Sequence, residues 1–284
     1  MIPAEFDYVA PSTVEEAVRT LSSAGEDAKV LAGGQSLLPV LRMRLADPSL
    51  VVDLGKVAEM RGIREEGDEL VIGAMTSHHD VLRDDLVSEH AGLIALTTRT
   101  VADPQVRHRG TFGGSITHAD PAGDLLAPVL AMDAEMVVAG PSGRRNIAAR
   151  EFFVDYFTTA IEPDEILVEV RLPKYTGWSA HYEKFNRVAQ AWSVVGVATT
   201  VLVEGGKIAR ARVGLTNMGA TPIRAEGVEQ ALLGAAPTEE AIRQAAARAT
   251  EGTSAGSDAN ADVDYREHLA EVLTGRALAT AASS

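Results

Sequence analysis

The chain contains no cysteine among its 284 residues. That absence excludes disulfides, thiolate zinc sites, a cysteine nucleophile and cysteine-ligated iron–sulfur clusters within the chain. Any redox chemistry would have to rest on an organic cofactor. Aromatic residues are scarce too, at 5%, so Leu, Val, Ile and Ala must build the core. No apolar run reaches the roughly 20 residues that a membrane-spanning helix needs. Residues 1–10 carry Glu5 and Asp7 and lack the basic-then-apolar order of a signal peptide. A cytoplasmic location is the expectation, with peripheral contact at the inner membrane face left open. Basic residues are outnumbered, 26 Lys and Arg against 40 Asp and Glu, for a net charge of −14. A nucleic-acid role would need a strong local basic patch. The densest cluster, Arg99, Arg107, His108 and Arg109, is short and has no aromatic ladder beside it, so nucleic-acid binding is not expected.

The length suits two or three modest domains. Residues 1–55 read as strand, helix, strand, helix, strand. Ser12 and Glu15 have the spacing of a capping box, and Val14, Ala17, Val18 and Leu21 then share one helical face before Gly25. Residues 56–173 form a second lobe. Strands are expected at 69–72, 135–139 and 166–172, helices at 77–83, 92–101 and 125–132, and a turn at 140–143. Residues 103–124 hold four glycines and two prolines without a sustained period, and read as a long ordered loop or a functional segment. Residues 174–284 form the third lobe. Its β-patterned runs 192–203 and 208–215 are joined by Glu204-Gly205-Gly206-Lys207 as a hairpin, and three helical stretches follow.

Two short segments carry the chemistry: Ala32-Gly33-Gly34-Gln35-Ser36 and Thr111-Phe112-Gly113-Gly114-Ser115. Each sets two glycines before a small hydroxylic residue, and the first follows a strand and opens a helix. Glycines allow successive N–H groups to converge on one point, and a helix N-terminus adds partial positive charge. Such a loop binds phosphate without a lysine or arginine, and two of them suit a dinucleotide. Either pair alone is equally a tight turn. The second, however, continues into the small and polar stretch 116–124, which is wasteful unless backbone lies against a ligand. Neither has the Walker spacing nor the Gly-x-Gly-x-x-Gly fingerprint, which disfavours a P-loop NTPase and a Rossmann dehydrogenase.

The phrases LAGGQSLLP (31–39), IGAMTSH (72–78) and RGTFGGSITHADPAGD (109–124), at compatible spacing, resemble the FAD-binding medium subunits of molybdenum hydroxylases, the family that includes aerobic carbon monoxide dehydrogenases and xanthine dehydrogenases. The resemblance runs from Ile2-Pro3 to Gly214-Leu215-Thr216-Asn217. It implies an α+β fold: a two-lobe, vanillyl-alcohol-oxidase-like FAD-binding domain, then an α+β domain with a β-hairpin-rich sheet and helices. It implies that Ala32, Gly33, Gly34, Gln35, Ser36 and Leu37 wrap the FAD diphosphate. Ile72, Gly73, Ala74, Gly110, Thr111, Gly113, Gly114 and Ser115 would close on the rest of the cofactor. Asp124, with Asp120 beside it, would hydrogen-bond its polar groups, and Lys184 matches a lysine placed near the flavin ring, an exposed strand lysine being the other reading of that residue. Ser115 stands where many family members have Asn. Trp192 stands where the carbon monoxide enzymes have a tyrosine near the flavin, and would either cover a ring face or anchor the hairpin.

By the same resemblance the chain works with a large molybdopterin subunit and a small subunit carrying two [2Fe–2S] clusters, as a dimer of heterotrimers. FAD would pass electrons to a quinone, NAD or oxygen. No catalytic residue and no metal ligand is assigned to this chain. Two other readings stand beside this one: a self-contained flavin oxidoreductase, and a subunit that holds a nucleotide for structure only. Adjacent His78 and His79 point in different directions on a helix and cannot easily share an ion. His108 and His118 flank the second glycine pair and are candidates for the cofactor edge.

Overall fold

The computed structural model describes residues 2–283. The N-terminal lobe is a parallel three-stranded sheet of β1 (Asp7–Val9), β2 (Ala28–Leu31) and β3 (Leu50–Asp53), in the order β1-β3-β2. The helix Val14–Ala24 packs beneath it on the four residues expected, Val14, Ala17, Val18 and Leu21. Its cap lies one residue later than the sequence spacing suggested. Thr13 accepts the Glu16 N–H at 3.1 Å, and the Glu16 carboxylate accepts the Ser12 N–H at 2.8 Å. Glu16 wins because its side chain, one turn in, can reach back to the strand side of the cap. That hydrogen bond from Ser12 holds the Glu16 carboxyl below its ordinary pKa.

The second lobe is an antiparallel five-stranded sheet, order β4-β5-β10-β6-β7. Its strands are β4 (Ile63–Glu66), β5 (Glu69–Gly73), β6 (Glu135–Gly140), β7 (Gly143–Ala148) and β10 (Ile166–Pro173). A small hairpin of β8 (Phe153–Asp155) and β9 (Thr158–Thr159) precedes β10. The central strand β10 is almost wholly buried, as its unbroken Ile-Leu-Val run requires. One continuous apolar core joins this lobe to the first: Val14, Leu21 and Val52 pack with Ile72, Phe112, Leu126 and Val170.

Most of the stretch 103–124 is not a loop: it forms two short helices, Pro104–Arg109 and Phe112–His118, joined through Gly110, and only 119–124 remain irregular. Caps make them where periodicity could not. Asp103 accepts the Val106 N–H at 2.9 Å with proline in the first turn, and Thr111 accepts the Gly114 N–H at 3.1 Å. Six or seven residues are too few for an amphipathic stripe to show. The Asp85–His90 helix, capped by Asp84, escaped the sequence reading for the same reason.

The third lobe is an antiparallel sheet of β11 (Ser179–Phe185), β12 (Val195–Glu204), β13 (Lys207–Thr216) and β14 (Ile223–Arg224). The long helix Val263–Ala282 covers one face through Leu269, Leu273, Ala277 and Leu278. Strand alternation divides the residues between two cores. Val195, Val197 and Val201 face this helix, whereas Ala198 and its cross-strand partner Tyr182 face the FAD-lobe core. On that second face Gly214 lies against the helix Leu126–Ala131, where an added Cβ would stand 2.4 Å from the Ala127 carbonyl oxygen. Replacing Gly214 with Val should therefore cost about 1–3 kcal/mol in chemical denaturation. An unchanged midpoint would mean that this junction yields freely.

Candidate functional site

The two glycine segments meet. An added Cβ on Gly33 would stand 2.3 Å from the Arg109 carbonyl oxygen and 2.7 Å from the Gly110 Cα, and one on Gly114 would reach the Ala32 methyl at 3.3 Å. Only glycine allows such an approach of backbone to backbone. Gly34 turns the chain at φ +74° into the helix Leu37–Arg42. Gly113 packs so close to β5 that its Cβ would overlap the Ala74 methyl, and its N–H donates to the Ala74 carbonyl at 2.8 Å.

Beside this contact lies a cleft of about 970 Å³, at the upper end of ordinary small-molecule sites. Ala32, Gly33, Gly34, Gln35, Ser36 and Leu37 line one wall; Ala74, Gly110, Thr111, Gly113, Gly114 and Ser115 line the other; Asp120, Asp124, Lys184 and Trp192 complete it. Two expected residues are not brought there. Ile72 points into the core of the middle sheet and is fully buried. Gly73 is pressed against the Met60 carbonyl, 2.4 Å from where its Cβ would be. Strand β5 thus supports the cleft from behind, and the chain meets it only past the strand, from Ala74.

The two loops differ in what they offer a ligand. In the second, the N–H groups of Phe112, Gly113, Gly114 and Ser115 already donate to Thr76, Ala74 and Thr111. In the first, the N–H groups of Gly34, Gln35, Ser36 and Leu37 donate to no other group among the described residues. Four consecutive backbone donors without partners, on the wall of a cleft, form an anion-binding nest. Diphosphate suits it.

At the far end, strand alternation turns Tyr182 and Lys184 to the cleft side and Phe185 to the C-terminal core. Lys184 is not an exposed strand lysine. Its side chain is 7% exposed, and its ammonium donates to Asp124 Oδ2 at 2.7 Å and to the Thr100 carbonyl at 3.3 Å. Asp124 Oδ1 accepts from the Tyr182 hydroxyl at 2.8 Å and from Ser193 Oγ at 2.7 Å. Burial, and next the charge of Asp124, push the Tyr182 pKa well above its ordinary value, so the hydroxyl stays a donor. Asp120 is engaged in its own turn, accepting the Ala122 N–H at 3.0 Å. Trp192 precedes β12 and is 55% exposed, so it does not anchor the hairpin in a core.

The sequence reading missed Tyr182 and Ser193, and the wall residue His78. His78 is buried, its Nδ1 has no partner among the described residues, and its ring packs against Gly110. Burial, helped by the charge of Arg107, lowers its pKa to about 4. His118 lines the cleft, and burial lowers its pKa as well. His108 instead stacks on His79 at 3.8 Å between ring centroids. No group of three or more potential ligands that could hold a metal occurs among the described residues, and no helix there is long and apolar enough to cross a membrane.

Residues 4–175 match the family model described as the FAD binding domain in molybdopterin dehydrogenase, and residues 180–281 match the carbon monoxide dehydrogenase flavoprotein C-terminal domain. The chain belongs to the FAD-binding medium-subunit family of molybdenum hydroxylases. It is 42% identical to the carbon monoxide dehydrogenase medium chain of Hydrogenophaga pseudoflava, over 98% of this chain and 97% of that one. It is 36% identical to the 6-hydroxypseudooxynicotine dehydrogenase complex subunit alpha of Paenarthrobacter nicotinovorans, over 99% and 96%. Superposition on quinoline 2-oxidoreductase from Pseudomonas putida 86 gives a TM-score of 0.95 at 32% identity, covering 100% of this chain and 99% of that one. The fold is thus that of an FAD-binding domain followed by the family's C-terminal flavoprotein domain, in an oxidoreductase subunit.

Two tests follow from the geometry. A valine at Gly33 or at Gly114 should abolish FAD retention, since each drives a side chain into the contact between the loops; normal flavin content in both variants would remove the site. For His78 the unfolded chain takes up a proton first, near pH 6.5, and the folded chain only near pH 4. Folding stability should therefore fall as pH drops through that window, and less steeply in His78→Leu. Equal slopes in the two proteins would exclude His78 from the acid response.

Proposed function

We propose that this chain is the electron-transfer flavoprotein of a three-subunit molybdenum hydroxylase, arranged as a dimer of heterotrimers. It takes electrons from two [2Fe–2S] clusters on a small subunit, fed by a molybdopterin-bearing large subunit, and delivers them to an external quinone, NAD or oxygen. The observation that carries this reading is the run of unpaired N–H groups from Gly34 to Leu37 in the wall of a dinucleotide-sized cleft, in a chain of this family.

The site residues divide the work by chemistry. Gly34, Gln35, Ser36 and Leu37 hold the diphosphate by backbone donation, and Gly33 and Gly114 keep the two walls close enough to grip it. Thr111 and Ser115 add hydroxyls on the opposite wall, and Asp120 faces the same space. The Lys184–Asp124 pair lies toward the ring, where an ammonium favours a reduced, anionic flavin. Trp192, exposed at the rim, has room to cover one ring face. FAD supplies the exchange between one-electron and two-electron chemistry that this position in a chain requires. The chain lacks cysteine, which fits clusters held by another subunit.

Relatives named for carbon monoxide, for 6-hydroxypseudooxynicotine and for quinoline share this fold. Substrate choice is accordingly assigned to the large subunit and not to this chain. The native assembly, purified intact, should show flavin and iron–sulfur absorbance, release FAD on denaturation and retain a large and a small subunit. An assembly without flavin, or a flavoprotein that its own small-molecule substrate reduces in the absence of any partner, would overturn the proposal.

A further inference from the structure

We infer that Tyr182 and Ser193 are positioning residues for the flavin. By holding the Asp124 carboxylate, they set how much of the Lys184 charge the cofactor feels. This rests on the proposal above that Lys184 lies beside the flavin ring.

The geometry assigns the two oxygens of Asp124 to different tasks. Oδ2 faces the Lys184 ammonium at 2.7 Å, while Oδ1 receives the hydroxyls of Tyr182 at 2.8 Å and Ser193 at 2.7 Å. Lys184 therefore does not stand in the cleft as a bare cation. It is half of a close Lys184–Asp124 pair, and the field at the cofactor is that of the pair. A buried carboxylate keeps its charge when hydrogen bonds to the charged form supplement the cation. Here two neutral hydroxyls do so without adding charge of their own.

Neither hydroxyl is placed by the cleft itself. Tyr182 lies two residues before Lys184 on β11, so the strand repeat delivers both to one face. Ser193 lies on the segment before β12, and the third lobe pins its backbone. Asn217 Nδ2 donates to the Ser193 carbonyl at 2.8 Å, and the buried Arg266 donates to the carbonyl of the next residue, Val194. The C-terminal lobe thereby fixes an ion pair in a cleft formed largely by the other two.

Without the two hydroxyls nothing holds Oδ1, so the carboxylate can turn away from Lys184 and offset less of its charge at the cofactor. The flavin midpoint potential should then rise. The test is potentiometry at pH 7 on the holo-complex, comparing wild type with Lys184→Met, Asp124→Asn and Tyr182→Phe/Ser193→Val. Lys184→Met should lie below wild type, Asp124→Asn above it, and the double variant between wild type and Asp124→Asn. Ser193→Thr, which matches valine in shape but keeps the hydroxyl, should lie closer to wild type than Ser193→Val. That contrast separates hydrogen bonding from packing, even if the double variant fails to assemble.

Wild-type potentials in both Lys184→Met and Asp124→Asn would overturn the placement of Lys184 beside the ring, and this inference with it. Shifts in those two, with Ser193→Val, Ser193→Thr and Tyr182→Phe all at wild type, would overturn the positioning role alone.

Discussion

The contact between Gly33 and the Arg109–Gly110 backbone is the constraint on which the cleft depends. It brings a loop of the N-terminal parallel sheet against the junction between two short helices of the middle lobe, at a distance no side chain tolerates. With the two walls fixed there, the unpaired N–H groups of Gly34 to Leu37 face a space that the second lobe closes.

The two glycine pairs look alike in sequence but play different parts. The N–H groups of the second are spent on holding the helix Phe112–His118 to the end of β5 and to Thr111. Its glycines are needed for packing against Ala74 and Ala32. The first pair is the one with free donors. One loop leaves its donors free, and the other uses its own to build the wall it stands in.

Charge inside the cleft is balanced closely, although the chain as a whole carries a net −14. Asp124 and Lys184 neutralise one another, and the tyrosine and serine hydroxyls satisfy the remaining carboxylate oxygen. His78 and His118 are kept neutral at ordinary pH by burial. Because Lys184 is paired with Asp124, its effect in the cleft depends on geometry as much as on charge.

Local pattern by itself determined a good deal: the four inward residues of the helix Val14–Ala24, the strand β10, the hairpin at Gly205 and Gly206, and the two glycine segments, which the structure brings to one cleft. Each is visible because its periodicity or turn chemistry lies within a few neighbouring residues. The absence of cysteine was as informative, since it removed the iron–sulfur clusters from the chain. Tertiary structure alone decided the rest. The short helices within 103–124 depend on caps at Asp103 and Thr111 and on packing against β5, which no periodicity of six residues can announce. Ile72 and Gly73 belong to a motif that reads as cofactor-binding, but the pleat of β5 turns them into the core and onto Met60. Lys184, Asp124, Tyr182 and Ser193 are up to 69 residues apart in sequence, and only the pairing of β11 with β12 against the middle lobe makes them one group.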